Sequence, residues 1–189
     1  MPIVEQFISA ADYWTGMVEH DYRKCLDNPG DLRRALHCAN ALFHLHDWVY
    51  QTHDSAVRAA FTYPSGSGKA VAVSSPAEFA NSLEQINADF GRIRGIANAF
   101  KHHTLRTIRP VANAPSHAAN TRVVAAGGGF FGGLYSRGPR GERHRGVFLG
   151  PYNKRVVLEG PGGNDMEFPA IAKSVYEMWI TLNATHHWW

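Results

Sequence analysis

The sequence predicts a mainly α fold of the α+β kind: a four-helix bundle core with a small antiparallel β excursion between helices three and four. Three observations carry this. Apolar residues recur at three- and four-residue spacing through four separate stretches. Between the third and the fourth the texture changes to short β-branched runs separated by Gly, Pro and Asn. The third is size: 189 residues at 44% hydrophobic and 12% aromatic form one ordinary domain, able to bury a core without disulfide or metal staples. Residues 1–189 therefore read as a single domain, with a helical core over 3–103 and 170–185 and the β excursion over 104–167.

The first helix spans residues 3–27, where Val4, Phe7, Ile8, Ala11, Trp14, Val18, Tyr22 and Cys25 form one stripe that ends at Asn28-Pro29-Gly30. Asp31 caps a second helix over 32–53, with Leu32, Ala35, Leu36, Ala39, Leu42, Phe43, His46, Val49 and Tyr50 inward. A looser stretch to Ser75 contains Tyr63-Pro64-Ser65-Gly66-Ser67-Gly68 and reads as an exposed loop. Ser75 and Pro76 supply the cap and first position of a third helix, and Glu78 completes a capping box. Its stripe, Phe79, Leu83, Ile86, Phe90, Ile93, Ala97 and Phe100, runs to His103. In the excursion, strands are expected over 122–125, 146–149 and 155–158. The last helix, 170–183, packs back through Ile171, Val175, Met178, Trp179 and Leu182.

The net charge of +3 conceals a division along the chain. Ten of the 19 Lys and Arg lie between Lys101 and Arg155, against one acid, Glu142. Such asymmetry directs a basic face at an anionic partner, of which nucleic acid is the commonest. Arg137, Arg140, Arg143 and Arg145 fall in one Gly/Pro-containing turn, where a hairpin tip can present them together. No apolar run approaches the roughly 20 residues of a membrane span. The N-terminal Met1-Pro2-Ile3-Val4-Glu5 has neither a basic start nor an apolar signal core, so the expected location is cytoplasmic, away from membranes. Cys25 and Cys38 sit in helical stretches without zinc-like spacing, which argues against a disulfide scaffold or a zinc finger.

Two polar faces draw the chemistry. On the second helix His37, Asn40, His44, Asp47 and Gln51 follow one another three or four residues apart, where a merely solvated face carries Lys, Glu and Arg. On the third, Arg94, Asn98, Lys101 and His102 flank the apolar stripe, so these groups are expected half-buried. Arginine beside a histidine holds a phosphate and moves a proton at neutral pH, and Asn98 can orient either. The structural alternative pairs Arg94 with Asp47 or another acid between helices. Adjacent bundle helices that bury their stripes bring the flanks together, placing Asn40, His44 and Asp47 within reach of Arg94, Asn98 or His102.

The strings Ala39-Asn40-Ala41-Leu42-Phe43-His44-Leu45-His46-Asp47-Trp48 and Arg94-Gly95-Ile96-Ala97-Asn98-Ala99-Phe100-Lys101-His102 resemble a family of small bacterial proteins of uncharacterised activity. That family carries an N-A-x-x-H-L-x-D-W helix and an R-x-x-A-N-x-x-K-H helix. The resemblance covers residues 35–105. More distantly, an Arg followed by a polar residue and a His on a late bundle helix is similar to the HEPN superfamily, which includes metal-independent ribonucleases and inactive relatives. Four to six residues separate Arg from His in those enzymes, and seven separate Arg94 from His102 here. The resemblance implies RNA or nucleotide-phosphate binding, a homodimer with facing sites, and cleavage in which Arg94 stabilises charge and His102 acts as acid and base.

Other readings are weaker. His44 and His46 point roughly 200° apart on a helix and do not readily share an ion. His44 with Asp47, or either of these two with His102, are metal pairs, but no HExxH pattern or Glu-rich face supports them, so no metal ligand and no cofactor is assigned and metal-dependent hydrolysis ranks third. Ser67-Gly68-Lys69-Ala70 is not a phosphate-binding loop: Tyr63 stands at its leading glycine and Ala70 at its Ser/Thr. The glycines of 127–133 open no helix and read as a hairpin or bulge. His186-His187-Trp188-Trp189 is either an exposed aromatic patch or a tail folded onto the bundle. The second-ranked function is a non-catalytic interaction module in which the polar residues are structural.

Overall fold

The computed structural model describes residues 7–64, 68–102, 121–126, 153–159 and 165–189, with backbone alone at 99–102, 121–126, 153–155 and 159. The fold is mainly helical with small antiparallel sheets. The first helical rod comprises α1 (Ala10–Tyr13), a π-helical turn (Trp14–Val18) and α2 (Glu19–Asp27). It starts later than its apolar stripe implies. Ser9 is extended and its side chain accepts from the Asp12 amide, which fixes the helix start there and leaves Phe7 and Ile8 outside it. Gly16 in the π turn leaves room for the Phe7 ring, since a Cβ would come within 2.4 Å of Phe7 Cε1.

Asp31 caps α3 (Leu32–Ala60) as expected, accepting from the Arg34 amide. The helix runs beyond residue 53, where His53 departs from helical geometry (φ −132°, ψ 35°) and a kink carries the chain on to Ala60. The stretch expected as loop holds an antiparallel hairpin, β1 (Thr62–Pro64) and β2 (Ala70–Ala72), in the register Thr62 to Ala72.

The expected third helix is two helices. Ser75 and Pro76 open α4 (Pro76–Ile86) with Ser75 Oγ accepting from the Glu78 amide, while Glu78 accepts in turn from the Ser74 amide. Asn87 is extended (φ −145°, ψ 109°), and α5 (Ala88–His102) follows. The cause is the Asn87 side chain. Its Oδ1 accepts from the Asp89 amide at 2.9 Å, and its Nδ2 donates to the Ser174 carbonyl at 3.2 Å. Asparagine at a cap satisfies a helix-end donor that continued helix leaves to the backbone. Ile86, placed inward by its spacing, is exposed.

In the excursion, β3 (Thr121–Ala126) pairs antiparallel with β4 (Asn153–Glu159), Thr121 opposite Leu158, and β4 pairs with β5 (Asp165–Glu167). The strand expected over 146–149 lies outside the described residues; β5 was not expected. β4 docks on the helices: Val156 and Leu158 are buried, and the Val156 amide donates to the Pro29 carbonyl at 2.8 Å. The last helix, α6 (Phe168–His186), is longer than its stripe. Its Trp179 is fully buried among Phe79, Phe90 and Trp188. The C-terminal residues fold back on the bundle: Trp188 is buried, its carbonyl accepts from His53 Nε2, and Asn183 bonds both the amide and the carbonyl of Trp189. Cys25 and Cys38 are buried free thiols. Among the described residues no helix is long and apolar enough to cross a membrane.

Candidate functional site

The polar face of α3 places Asp47 at the centre of a cluster. One carboxylate oxygen, Oδ2, meets His44 Nδ1 at 3.1 Å, one helical turn back, and the other, Oδ1, meets His46 Nε2 at 3.3 Å. The two imidazoles point in different directions from the helix, yet each reaches its own oxygen of the one carboxylate. Of this face, His37 and Gln51 are exposed, and Asn40, His44 and Asp47 are half-buried.

The environments of the two histidines differ. His46 is buried against Phe43 and Phe90, and its Nδ1 donates to the Phe43 carbonyl at 2.6 Å. Burial pushes its affinity for a second proton below the ordinary imidazole range, against the pull of Asp47 and the Phe43 carbonyl; His44 and Arg94 add to the depression. A neutral His46 therefore keeps its proton on Nδ1, and its Nε2 shares a proton with Asp47 only when one is supplied. His44 is 45% exposed, with its Nδ1 committed to Asp47. Burial raises Asp47, but the His44 hydrogen bond and the two neighbouring imidazoles outweigh it and leave the carboxyl below its usual range.

The first helix walls one side of the cluster. Tyr13 stacks on Trp48 at 5.2 Å, and Phe7 meets both rings edge-on. Burial, with the charges of Asp21 and Asp47, pushes the Tyr13 phenol up to about 12, so it stays protonated. The π turn begins at the next residue, Trp14, a rare backbone form that recurs at functional sites.

Arg94 approaches from α5. Its Nη1 donates to Asn81 Oδ1 and Glu84 Oε1, both at 2.8 Å, so its partner acid is Glu84 of α4 rather than Asp47. Asn98 lies one turn further along α5, half-buried. Lys101 and His102 occupy the last turn of α5, where only the backbone is described, and Arg137, Arg140, Arg143 and Arg145 lie outside the described residues. The structure thus joins His44 and Asp47 directly and brings the charge of Arg94 within electrostatic range of His46. Sequence reasoning missed the approach of His46 to Asp47, the Tyr13 and Trp48 wall, and the Asn81 and Glu84 anchor of Arg94. The adjacency of His46 and Asp47 was the available signal for the first.

Among the described residues no group of three or more His, Cys, Asp or Glu side chains is disposed to hold a metal ion. No protein-family model, curated protein or solved structure matches the chain.

Proposed function

We propose that this is a HEPN-like helical protein that binds RNA or a nucleotide phosphate on the face shared by α3 and α5. The observation that carries the reading is the half-buried Arg94, fixed by Asn81 and Glu84 and near enough for its charge to disfavour protonation of His46, on a helix whose later turns hold Asn98, Lys101 and His102. The bonds to Asn81 and Glu84 both leave from Nη1. The Nη2 and Nε hydrogens form the other edge of the guanidinium, the geometry that grips a phosphate. In its catalytic form the reading has Arg94 stabilise the phosphorane charge and His102 transfer the proton, without metal. It also expects a homodimer with facing sites.

The test is anisotropy titration of labelled single-stranded RNA. Binding is expected at low salt and to weaken steeply as salt rises, and Arg94→Gln combined with Glu84→Gln, which leaves no carboxylate unpaired, is expected to weaken it about tenfold, a charge-assisted contact's worth. Replacing Arg137, Arg140, Arg143 and Arg145 by Ser is expected to lower both affinity and the salt slope. Absence of binding at low salt overturns the reading. In its place stands a non-catalytic interaction module, which the two hydrogen bonds of Arg94 favour because they already give that side chain a role as a brace between α4 and α5.

A further inference from the structure

We infer that His44, in place of His102, is the acid–base group of this site, an imidazole oriented by Asp47 with its outward nitrogen, Nε2, directed to a phosphodiester substrate that carries its own hydroxyl nucleophile. The inference rests on the RNA-binding reading above and replaces His102 by His44 in its catalytic form.

The geometry has three parts. The 3.1 Å contact between His44 Nδ1 and Asp47 Oδ2 requires a proton on Nδ1 when the carboxylate is ionised, which leaves Nε2 of a neutral ring as a free lone pair. The inner side of Asp47 is bounded by a fixed ring: His46 Nε2 lies 3.3 Å from its second oxygen, and His46 is anchored through Nδ1 on the Phe43 carbonyl and packed against the Phe43 and Phe90 rings. The chain of contacts therefore runs from a buried backbone anchor outward to a half-exposed imidazole, which is how a proton-transfer group is both fixed and reachable. His46 cannot fill that role, because it is buried and both its nitrogens face acceptors.

The substrate class comes from the RNA-binding reading. Among the described residues the bond of the dyad joins His44 to Asp47 and aligns no serine, threonine or cysteine with the imidazole, and in RNA a ribose 2′-hydroxyl adjacent to the phosphodiester supplies the nucleophile. His44 Nε2 takes the 2′-hydroxyl proton, the 2′ oxygen bonds to phosphorus, and the bond from phosphorus to the 5′ oxygen breaks. The departing oxygen takes a proton from water, and the hydroxide so formed recovers the proton from His44. A 2′,3′-cyclic phosphate and a 5′-hydroxyl result. Asp47 touches no substrate and is a positioning residue.

The experiment uses the full chain, labelled with ¹⁵N, and a single-stranded RNA oligonucleotide with EDTA present. Long-range ¹H–¹⁵N correlations are expected to place the neutral His44 proton on Nδ1, and Asp47→Asn to shift it toward Nε2. Native protein is expected to leave cyclic-phosphate ends. His44→Gln is expected to slow cleavage about 100-fold, the lower range of acid–base contributions, with RNA affinity within about twofold of native. Because His44 is half-exposed, its thermal transition is expected at the native temperature. RNA bound but uncut by native protein, undiminished cleavage by His44→Gln, or a native His44 proton on Nε2 would each overturn the inference and leave the binding reading standing. Failure of native protein to bind RNA overturns both.

Discussion

The indole nitrogen of Trp179 donates to the backbone carbonyl of Leu42 across 3.1 Å of buried interface, so the last helix is fastened to the middle of α3 by a directed bond as well as by packing. The two contributions separate by substitution. Trp179→Phe keeps most of the apolar volume and loses one neutral hydrogen bond, whose acceptor retains its place in α3, so a loss of about 1 kcal/mol is expected. Trp179→Ala opens a cavity among Phe79, Phe90 and Trp188 and is expected to cost about 3–5 kcal/mol, a large share of a stability of about 5–15 kcal/mol. Urea unfolding measures both. Equal losses in the two variants would show that the hydrogen bond, not the packing, fastens α6.

Asn87 fastens the same helix from its other side while ending one helix and starting another. Asn87→Ala removes the cap on the Asp89 amide and the bond to the Ser174 carbonyl together, and is expected to cost about 1–3 kcal/mol. Ser174→Ala removes only the Oγ contact and is expected to cost less than about 1 kcal/mol. Amide hydrogen exchange gives the finer reading: the first turn of α5 is expected to lose protection in Asn87→Ala and to keep it in Ser174→Ala.

The cluster on α3 fixes the sign of the pH dependence. Asp47 is held below its ordinary 3.8, so its contribution to stability is present above that value and is lost as pH falls through the lower, folded one. His46 is held below its ordinary 6.5, and the same rule applies to it because the unfolded chain binds the proton more readily. Both groups thus favour the native state at neutral pH and lose that contribution on acidification, His46 first. Thermal scans from pH 8 to pH 4 are expected to show a fall beginning near 6.5, with His46→Gln flattening its upper part. A native transition temperature that rises from pH 7 to pH 5.5 and falls in His46→Gln would contradict the assignment of a neutral buried imidazole.

The helices were legible because burial writes itself as periodicity. Val18, Leu42, Val49, Phe79, Leu83, Val175 and Trp179 all lie on expected stripes, and all are fully buried. The break at Asn87 was not legible, because the stripe continues through Ile86 and Phe90 while one side chain ends the helix. That single error also hid the partner of Arg94. In one continuous helix residues 84 and 94 stand about 15 Å apart, at about 1.5 Å of rise per residue. The break turns α4 back along α5 and brings Glu84 Oε1 to 2.8 Å from Arg94 Nη1. The site divides in the same way. The His44 and Asp47 pair follows from helical spacing alone, whereas the His46 contact depends on side-chain directions that spacing treats as divergent, and the Tyr13 wall depends on how the first helix crosses α3.

The anchor of Arg94 makes its functional and structural roles separable. Arg94→Ala leaves Glu84, whose side chain is 17% exposed, without its cation, so a destabilisation of about 1–3 kcal/mol is expected from the structural role alone, and lost RNA affinity in that variant proves little. Arg94→Gln with Glu84→Gln removes both charges together and keeps amides able to bond each other and Asn81, so its thermal transition is expected within about 3 °C of native, the shift of roughly 1 kcal/mol in a chain of this length. If Arg94 grips phosphate, the double variant binds single-stranded RNA about tenfold more weakly at low salt and shows a salt slope reduced by about one. Arg94→Lys adds the converse arm, since it keeps the charge and loses the fork: intermediate affinity is expected with the salt slope retained. Native affinity in the double variant would assign Arg94 wholly to bracing α4 against α5, and the phosphate would have to be held elsewhere.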